Sequence, residues 1–439
     1  MSVISLLLFT IFPSIAIASV PPSKTFQYVN EGEFGLYAVE YGGSYRTLDP
    51  FAAPFQLCFY NTTSNAYTLA LRMGLEYSES LFMWVWEANR GNPVRENATL
   101  TFGRDGNLVL ADADSRIAWQ TNTTNKGVTG FKLLPNGNMV LHDSKGNFIW
   151  QSFDYPTDTL LAGQSLRLGG GTKLVSRASD IDNSEGPYSL VMVSKALVLY
   201  YKSPNTPKPI LYFNHPSWVN VNEGPLEYVK FYSAPENFNG YSYGLNLEYH
   251  VANSSIGATL RVGRPNYNST LSFLRLGLDG NLKIYTYYDL VFESAWEVTF
   301  TLLFRGSFWG SECQLPERCG KFGLCEESQC IACPLPKGLM GWSKDCQPKK
   351  LTSSKENDFY YYKLEGVDHF MSTYTRGNGP IKEDECGKKC TKDCKCLGYF
   401  YNKETSRCWI SYDLKTLTKV ANSTHAGYIK APKKLISQA

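Results

Sequence analysis

Residues 102–120 read FGRDGNLVLADADSRIAWQ, and residues 133–151 read LLPNGNMVLHDSKGNFIWQ. Asn107 and Asn138 stand 31 positions apart, and so do Trp119 and Trp150. Each copy runs through an alternating apolar stretch, a turn carrying Asp105-Gly106 or Asn136-Gly137, a second apolar run, a polar loop and a Trp-Gln pair. A repeat at a fixed period sets the architecture before local propensities are weighed. Each unit reads as a β-hairpin, with Asp-Gly and Asn-Gly supplying the positive-φ residues of a type I′ turn. A lone hairpin cannot bury its own apolar face, so several units must share one core, filled by the tryptophans. A third unit lies upstream in Phe82-Met83-Trp84-Val85-Trp86-Glu87-Ala88-Asn89-Arg90, where Trp86 precedes Trp119 by 33 residues. Residues 30–155 are therefore expected to form three sheet units around a Trp-lined axis.

Trp86-Glu87-Ala88-Asn89-Arg90, the two Asx-Gly-Asn turns and the string Trp150-Gln151-Ser152-Phe153-Asp154-Tyr155-Pro156-Thr157-Asp158-Thr159-Leu160-Leu161 resemble the bulb-type, mannose-binding (curculin-like) lectins of plants. The resemblance implies a three-sided β-prism. Farther on, Asp279-Gly280-Asn281-Leu282 repeats the hairpin turn, and Trp296 follows Asn281 by 15 residues. This stretch reads as a second, diverged prism, and it resembles the S-locus glycoprotein region of plant receptor-like proteins. The Pro-rich run Ser203–Pro209 is a loop within it.

The chain has 439 residues, a net charge of +3, 14% aromatics and 29 tyrosines. That length calls for several domains, and the aromatic content suits β-structure. The charge makes no electrostatic case for nucleic acid, and no basic cluster with interleaved aromatics appears. Residues 2–18 are apolar and end in Ala16-Ile17-Ala18, which reads as a secretory signal peptide over residues 1–19. Asn61, Asn97, Asn122, Asn253, Asn268 and Asn422 each open an N-glycosylation sequon. No later apolar run is long enough to span a membrane. The expected product is a secreted glycoprotein of the cell wall or apoplast.

Of the 12 cysteines, only Cys58 precedes residue 313. Cys313, Cys319, Cys325, Cys330, Cys333 and Cys346 fall in a stretch too small for an apolar core of its own, which disulfides must staple. Six cysteines allow 15 pairings. The stretch resembles an EGF-like module, which implies Cys313–Cys325, Cys319–Cys330 and Cys333–Cys346. Cys386, Cys390, Cys394, Cys396 and Cys408 resemble a PAN/apple domain. Cysteines at i and i+4 share a helix face, and the resemblance implies Cys386–Cys408 and Cys390–Cys396. Cys58 and Cys394 remain without assigned partners. Zinc is the rival reading at Cys330-x2-Cys333, but secretion disfavours it. No metal and no cofactor are expected.

The expected fold is mainly β. A bulb-type lectin domain spans 27–164 and a diverged second prism 165–305. A disulfide-rich EGF-like module (311–347) and a small α+β PAN/apple domain (355–432) follow. This order resembles the epidermis-specific secreted glycoproteins over nearly the whole mature chain. No catalytic constellation appears: the His residues are scattered, and Gly163-Gln164-Ser165-Leu166-Arg167 fails the nucleophile elbow at its last position. The protein reads as a non-enzyme.

In the lectin family the sugar site reads Gln-x-Asp-x-Asn-x-Val-x-Tyr. Positions i, i+2 and i+4 of a strand face one way, so amide, carboxylate and phenol converge on neighbouring hydroxyls. The first copy keeps Asp105, Asn107 and Val109, with Gly103 and Ala111 at the Gln and Tyr positions. The second has Asn136 at the Asp position and keeps Asn138 and Val140, with Leu134 and His142 at the ends. The copy in the second prism keeps Asp279, Asn281 and Tyr285, with Gly277 and Lys283 at the Gln and Val positions. A net hydrogen bond contributes about 0.5–1.5 kcal/mol, so losing two weakens binding about 5- to 150-fold. The same Asx-Gly-Asn residues are needed as turn formers whatever binds. Expected partners are mannose-type glycans or extracellular glycoproteins, and a homodimer is left open. The alternative is a structural wall glycoprotein or protein–protein adaptor with inactive lectin sites.

Overall fold

The computed structural model describes residues 19–76, 81–214, 225–234, 244–251, 256–261, 272–288, 295–351, 353, 355–421 and 424–433. Residues 1–18, within the expected signal peptide, and the sequons at Asn253, Asn268 and Asn422 lie outside these.

Alternation of buried and exposed side chains produces short strands, and these assemble into two tandem β-prisms, each of three antiparallel sheets. In the first, Ser44–Ala52, Phe55–Thr63, Ala66–Met73 and Met83–Glu87 form a meander. Phe26–Val29 pairs with Thr99–Phe102, which leads to Leu108–Ala111 and Ile117–Gln120. Gly130–Leu133, Met139–His142 and Phe148–Gln151 make the third, three-stranded sheet. The second prism repeats this plan with four strands in every sheet. Ser165–Arg167 heads one sheet. Thr159–Leu161 heads another, pairing with Ser272–Leu276. The crossover between prisms thus precedes Thr159. The side chains that follow serve both units: Leu160 joins the second core and Leu161 the first.

Trp86, Trp119 and Trp150 come one from each sheet of the first prism and pack edge to face, with centroids 5.8, 6.3 and 5.8 Å apart. This is the Trp-lined axis expected from the repeat. Edge-to-face aromatic pairs add to the effect of burial alone. The second prism is filled differently. Leu110 faces Trp119 across the ladder, and at the equivalent place Ile284 faces Phe300. Phe300, not Trp296, therefore holds the axial position. Trp296 leans instead on the first prism, its Nε1 donating to Leu81 O at 2.7 Å.

Two buried ionic nodes join the prisms. Arg275 donates through Nη1 to Glu40 Oε1 (2.6 Å) and through Nη2 to Trp84 O, while Glu40 Oε2 accepts the Trp84 NH at 2.9 Å. Arg177 donates to Glu87 Oε1 (2.8 Å) and to the Tyr60 hydroxyl (2.7 Å). Arg90 reaches across to Asn183 O and Val175 O at 2.8 and 2.9 Å. The Trp86–Arg90 stretch, which resembles a lectin motif, thus also contributes Glu87 and Arg90 to the interface.

The disulfide-rich module follows. Here Cys313 pairs with Cys325, Cys319 with Cys330 and Cys333 with Cys346. Its strand Phe322–Glu326 runs parallel to Lys415–Lys419 of the last domain, so the two share one five-stranded sheet. The last domain carries the sole α-helix among the described residues, Glu383–Lys392. The helix buries Cys386 and Cys390, which bond to Cys408 and Cys396. Cys58 is buried and unbonded, and Cys394 is exposed and unbonded. Burial pushes the Cys58 thiol up to about 12. Among the described residues no helix is long and apolar enough to cross a membrane.

Candidate functional site

The three Asx-Gly-Asn turns share one construction. Oδ1 of Asp105, Asn136 and Asp279 accepts the backbone NH two residues on, at 3.2, 3.1 and 2.9 Å. Only the glycine is left-handed, with φ of 80° at Gly106, 83° at Gly137 and 77° at Gly280. Gly106 NH donates to Gly103 O at 3.0 Å, which closes a three-residue loop rather than the expected two-residue type I′ turn. The side chain at the Asx position binds the local backbone and keeps its own φ negative.

The asparagine after each glycine is buried and employed by the fold. Asn107 Nδ2 donates to Gln120 Oε1 at 2.9 Å, and its Oδ1 accepts from the Thr121 hydroxyl and the Thr123 NH at 3.0 and 3.1 Å. Asn138 repeats this with Gln151 at 2.9 Å and with the Ser152 hydroxyl and Phe153 NH, both at 3.3 Å. Asn281 donates to Leu303 O at 2.7 Å and accepts the Leu303 NH at 3.0 Å. Their exposures are 5, 3 and 2%. An amide occupied on both ends offers little to a sugar. Gln120 and Gln151 were legible as part of the repeated Trp-Gln pair, but their role as acceptors for these amides was not.

What faces outward differs among the copies. Asp105 is exposed, its Oδ2 accepting the Thr124 hydroxyl at 2.9 Å, and Val109 is half-buried between Thr101 and Gln120. In the second copy Asn136 and His142 are half-buried, but Val140 is fully buried. In the third, Lys283 occupies the Val position and pairs with Asp279 Oδ2 at 2.6 Å. Tyr285 there stacks on Phe273, with centroids 5.2 Å apart. The first copy alone retains a free-facing carboxylate beside an apolar patch. Asn97 and Asn122 are exposed and Asn61 is half-buried, all on the first prism. No group of His, Cys, Asp and Glu among the described residues is arranged to hold a metal.

A family model described as D-mannose binding lectin matches residues 83–179, and a PAN-like domain model matches residues 353–414. The chain is 50% identical to EP1-like glycoprotein 3 of Arabidopsis thaliana, over 94% of this chain and 93% of that one. It is 59% identical to the epidermis-specific secreted glycoprotein EP1 of Daucus carota, over 79% and 92% respectively. It is 28% identical to the S-locus-specific glycoprotein BS29-2 of Brassica oleracea var. alboglabra, over 81% and 80%.

Proposed function

The chain belongs to the EP1-like glycoprotein family, and on that footing we propose that it is a secreted glycoprotein of the cell wall or apoplast that recognises mannose-type glycans and catalyses no reaction. The observation carrying this reading is the first Asx-Gly-Asn face, where exposed Asp105 sits in the turn that leads into Leu108–Ala111, the strand of half-buried Val109. The signal-like N-terminus and the sequons support secretion. The remnants at Asn136, Asn138 and Val140, and at Asp279, Asn281 and Tyr285, are weaker faces of the same kind.

The second reading, an adaptor or structural wall glycoprotein with idle lectin faces, is favoured by one specific observation. The amides of Asn107, Asn138 and Asn281 are all consumed by the fold. A glycan array with the secreted chain and an Asp105→Ala variant separates the two. Asp105 is the appropriate target, because it is exposed, whereas Asn107 is buried and its amide is consumed by the fold. Mannose-competed binding that Asp105→Ala lowers about 10- to 150-fold, the loss of one hydrogen bond to a charged group, supports the lectin reading. No glycan signal from folded protein favours the adaptor.

A further inference from the structure

Between the two prisms lies a cleft of about 780 Å³, lined by Arg90, Asp154–Thr157, Ser165 and Arg167–Lys173. One wall is the Asp-Tyr-Pro-Thr stretch, which follows the last strand of the first prism. The Tyr155 side chain is held firmly yet 56% exposed. Its ring stacks on Trp150, with centroids 5.7 Å apart and planes 17° off parallel. Its carbonyl accepts Trp86 Nε1–H at 3.0 Å, and its NH donates to Ser152 O at 3.0 Å. The ring thus rests against axial Trp150 while more than half of the residue's surface stays open. A pre-organised ring loses little conformational entropy when a ligand settles on it.

The surroundings have the composition of a sugar site, apolar with a few converging polar groups. The carboxylate of Asp154 accepts the Gln151 amide at 3.0 Å through Oδ1 only. Thr157, Ser165 and Thr172 supply hydroxyls along the wall. Gly171 lets that wall close on the linker: a Cβ there would come within 2.5 Å of Pro156 Cδ. The charge in the cleft is unevenly committed. Lys173 pairs with Glu185 at 3.6 Å, and Arg90 with Glu87 at 3.2 Å. Arg167 is exposed, lies 5.0 Å over the Tyr228 ring and has no carboxylate partner among the described residues. A guanidinium left free beside a sugar platform matches a ligand carboxylate, which it can grip with two parallel bonds.

We infer that this cleft is a second carbohydrate site, in which Tyr155 stacks on a pyranose ring and Arg167 binds the carboxylate of an acidic, uronic-acid-type oligosaccharide. It is separate from the first and third Asx-Gly-Asn faces, meets the second only through Gln151, which bonds both Asn138 and Asp154, and does not need those faces to be active. The test uses the full secreted chain, with tri-galacturonic acid as probe, cellotriose as its neutral counterpart and a mannose oligosaccharide for the other faces. Trp150 beneath the platform gives an intrinsic fluorescence readout, and calorimetry gives affinity. Tri-galacturonic acid should bind more tightly than cellotriose. Tyr155→Ala should weaken it about tenfold, the loss of one stacking contact, and leave any mannose binding unchanged. Arg167→Gln, which spares the platform, should abolish the preference for the acidic sugar. The inference is overturned if wild-type protein binds neither trisaccharide, if it binds both equally, or if both variants bind tri-galacturonic acid as wild type does. A failure at Asp105 with a working cleft would sink only the mannose reading.

Discussion

At the scale of single residues, the turns show how one position serves geometry twice. Gly137 needs its left-handed φ, and a Cβ there would meet Leu161 Cδ1 at 2.6 Å and Phe55 Cε1 at 2.8 Å. Strained backbone and overpacking add, so Gly137→Ala should cost roughly 2–4 kcal/mol in denaturant unfolding. Among the histidines, His369 carries the clearest pH dependence. Its Nε2–H donates to Asp413 O at 2.8 Å and its Nδ1 accepts the Met371 NH at 3.4 Å, an arrangement only the neutral ring can make. Burial pushes its pKa down to about 4. The unfolded chain takes up a proton near pH 6.5 that the folded chain refuses until about pH 4. Stability from this group is therefore full above pH 6.5 and falls as pH drops toward 4, by roughly 3 kcal/mol. His369→Gln should flatten that slope in urea titrations run across the window. An unchanged slope would assign it to other groups.

At the scale of elements, the helix Glu383–Lys392 shows what disulfides accomplish in a small domain. It is largely polar outside Cys386 and Cys390, so sulfur rather than aliphatic burial attaches it to the sheet. The bridge Cys386–Cys408 ties the helix to Arg407–Ser411, and Cys390–Cys396 ties it to the approach to Gly398–Asn402. Replacing Cys386 and Cys408 together by Ala should destabilise this domain by about 2–4 kcal/mol. The first prism should be untouched, as hydrogen exchange resolved by segment can check. The parallel pairing of Phe322–Glu326 with Lys415–Lys419 predicts that protection is lost in the disulfide-rich module at the same time.

At the scale of the whole molecule, the modules are stacked rather than strung. Buried charges at the prism junction are the sharpest test of this. Arg275 and Glu40 are 4 and 7% exposed, so removing the guanidinium strands a carboxylate in a site water does not reach. Arg275→Ala should cost about 3–5 kcal/mol, whereas Arg275→Met with Glu40→Gln should cost much less. Calorimetry should show the two prisms of wild type melting together and those of Arg275→Ala separating. At the far end, the Asn205 amide donates to Asp413 at 2.7 Å, and Tyr188 donates to Glu317 at 2.8 Å. These contacts continue the stack from the second prism to the last two modules.

The sequence by itself determined the strand-rich class and three sheet units around a Trp axis in the first domain, while the prism form came from the family resemblance. Those rest on local regularities: a 31-residue repeat, turn residues and alternating apolar positions. The cysteine spacing likewise marked out two stapled modules. Only the tertiary structure decided the rest. It set Phe300 across from Ile284 in the second prism and turned Trp296 toward the first. It moved Thr159–Leu161 across the prism boundary and merged two modules into one sheet, because strand pairing joins residues far apart in the chain. It also filled the Asn107 and Asn138 amides from Gln120 and Gln151, and left the Tyr155 ring outward over Trp150. Whether a polar residue serves the fold or a ligand depends on what lies across from it in space, and no spacing along the chain reports that.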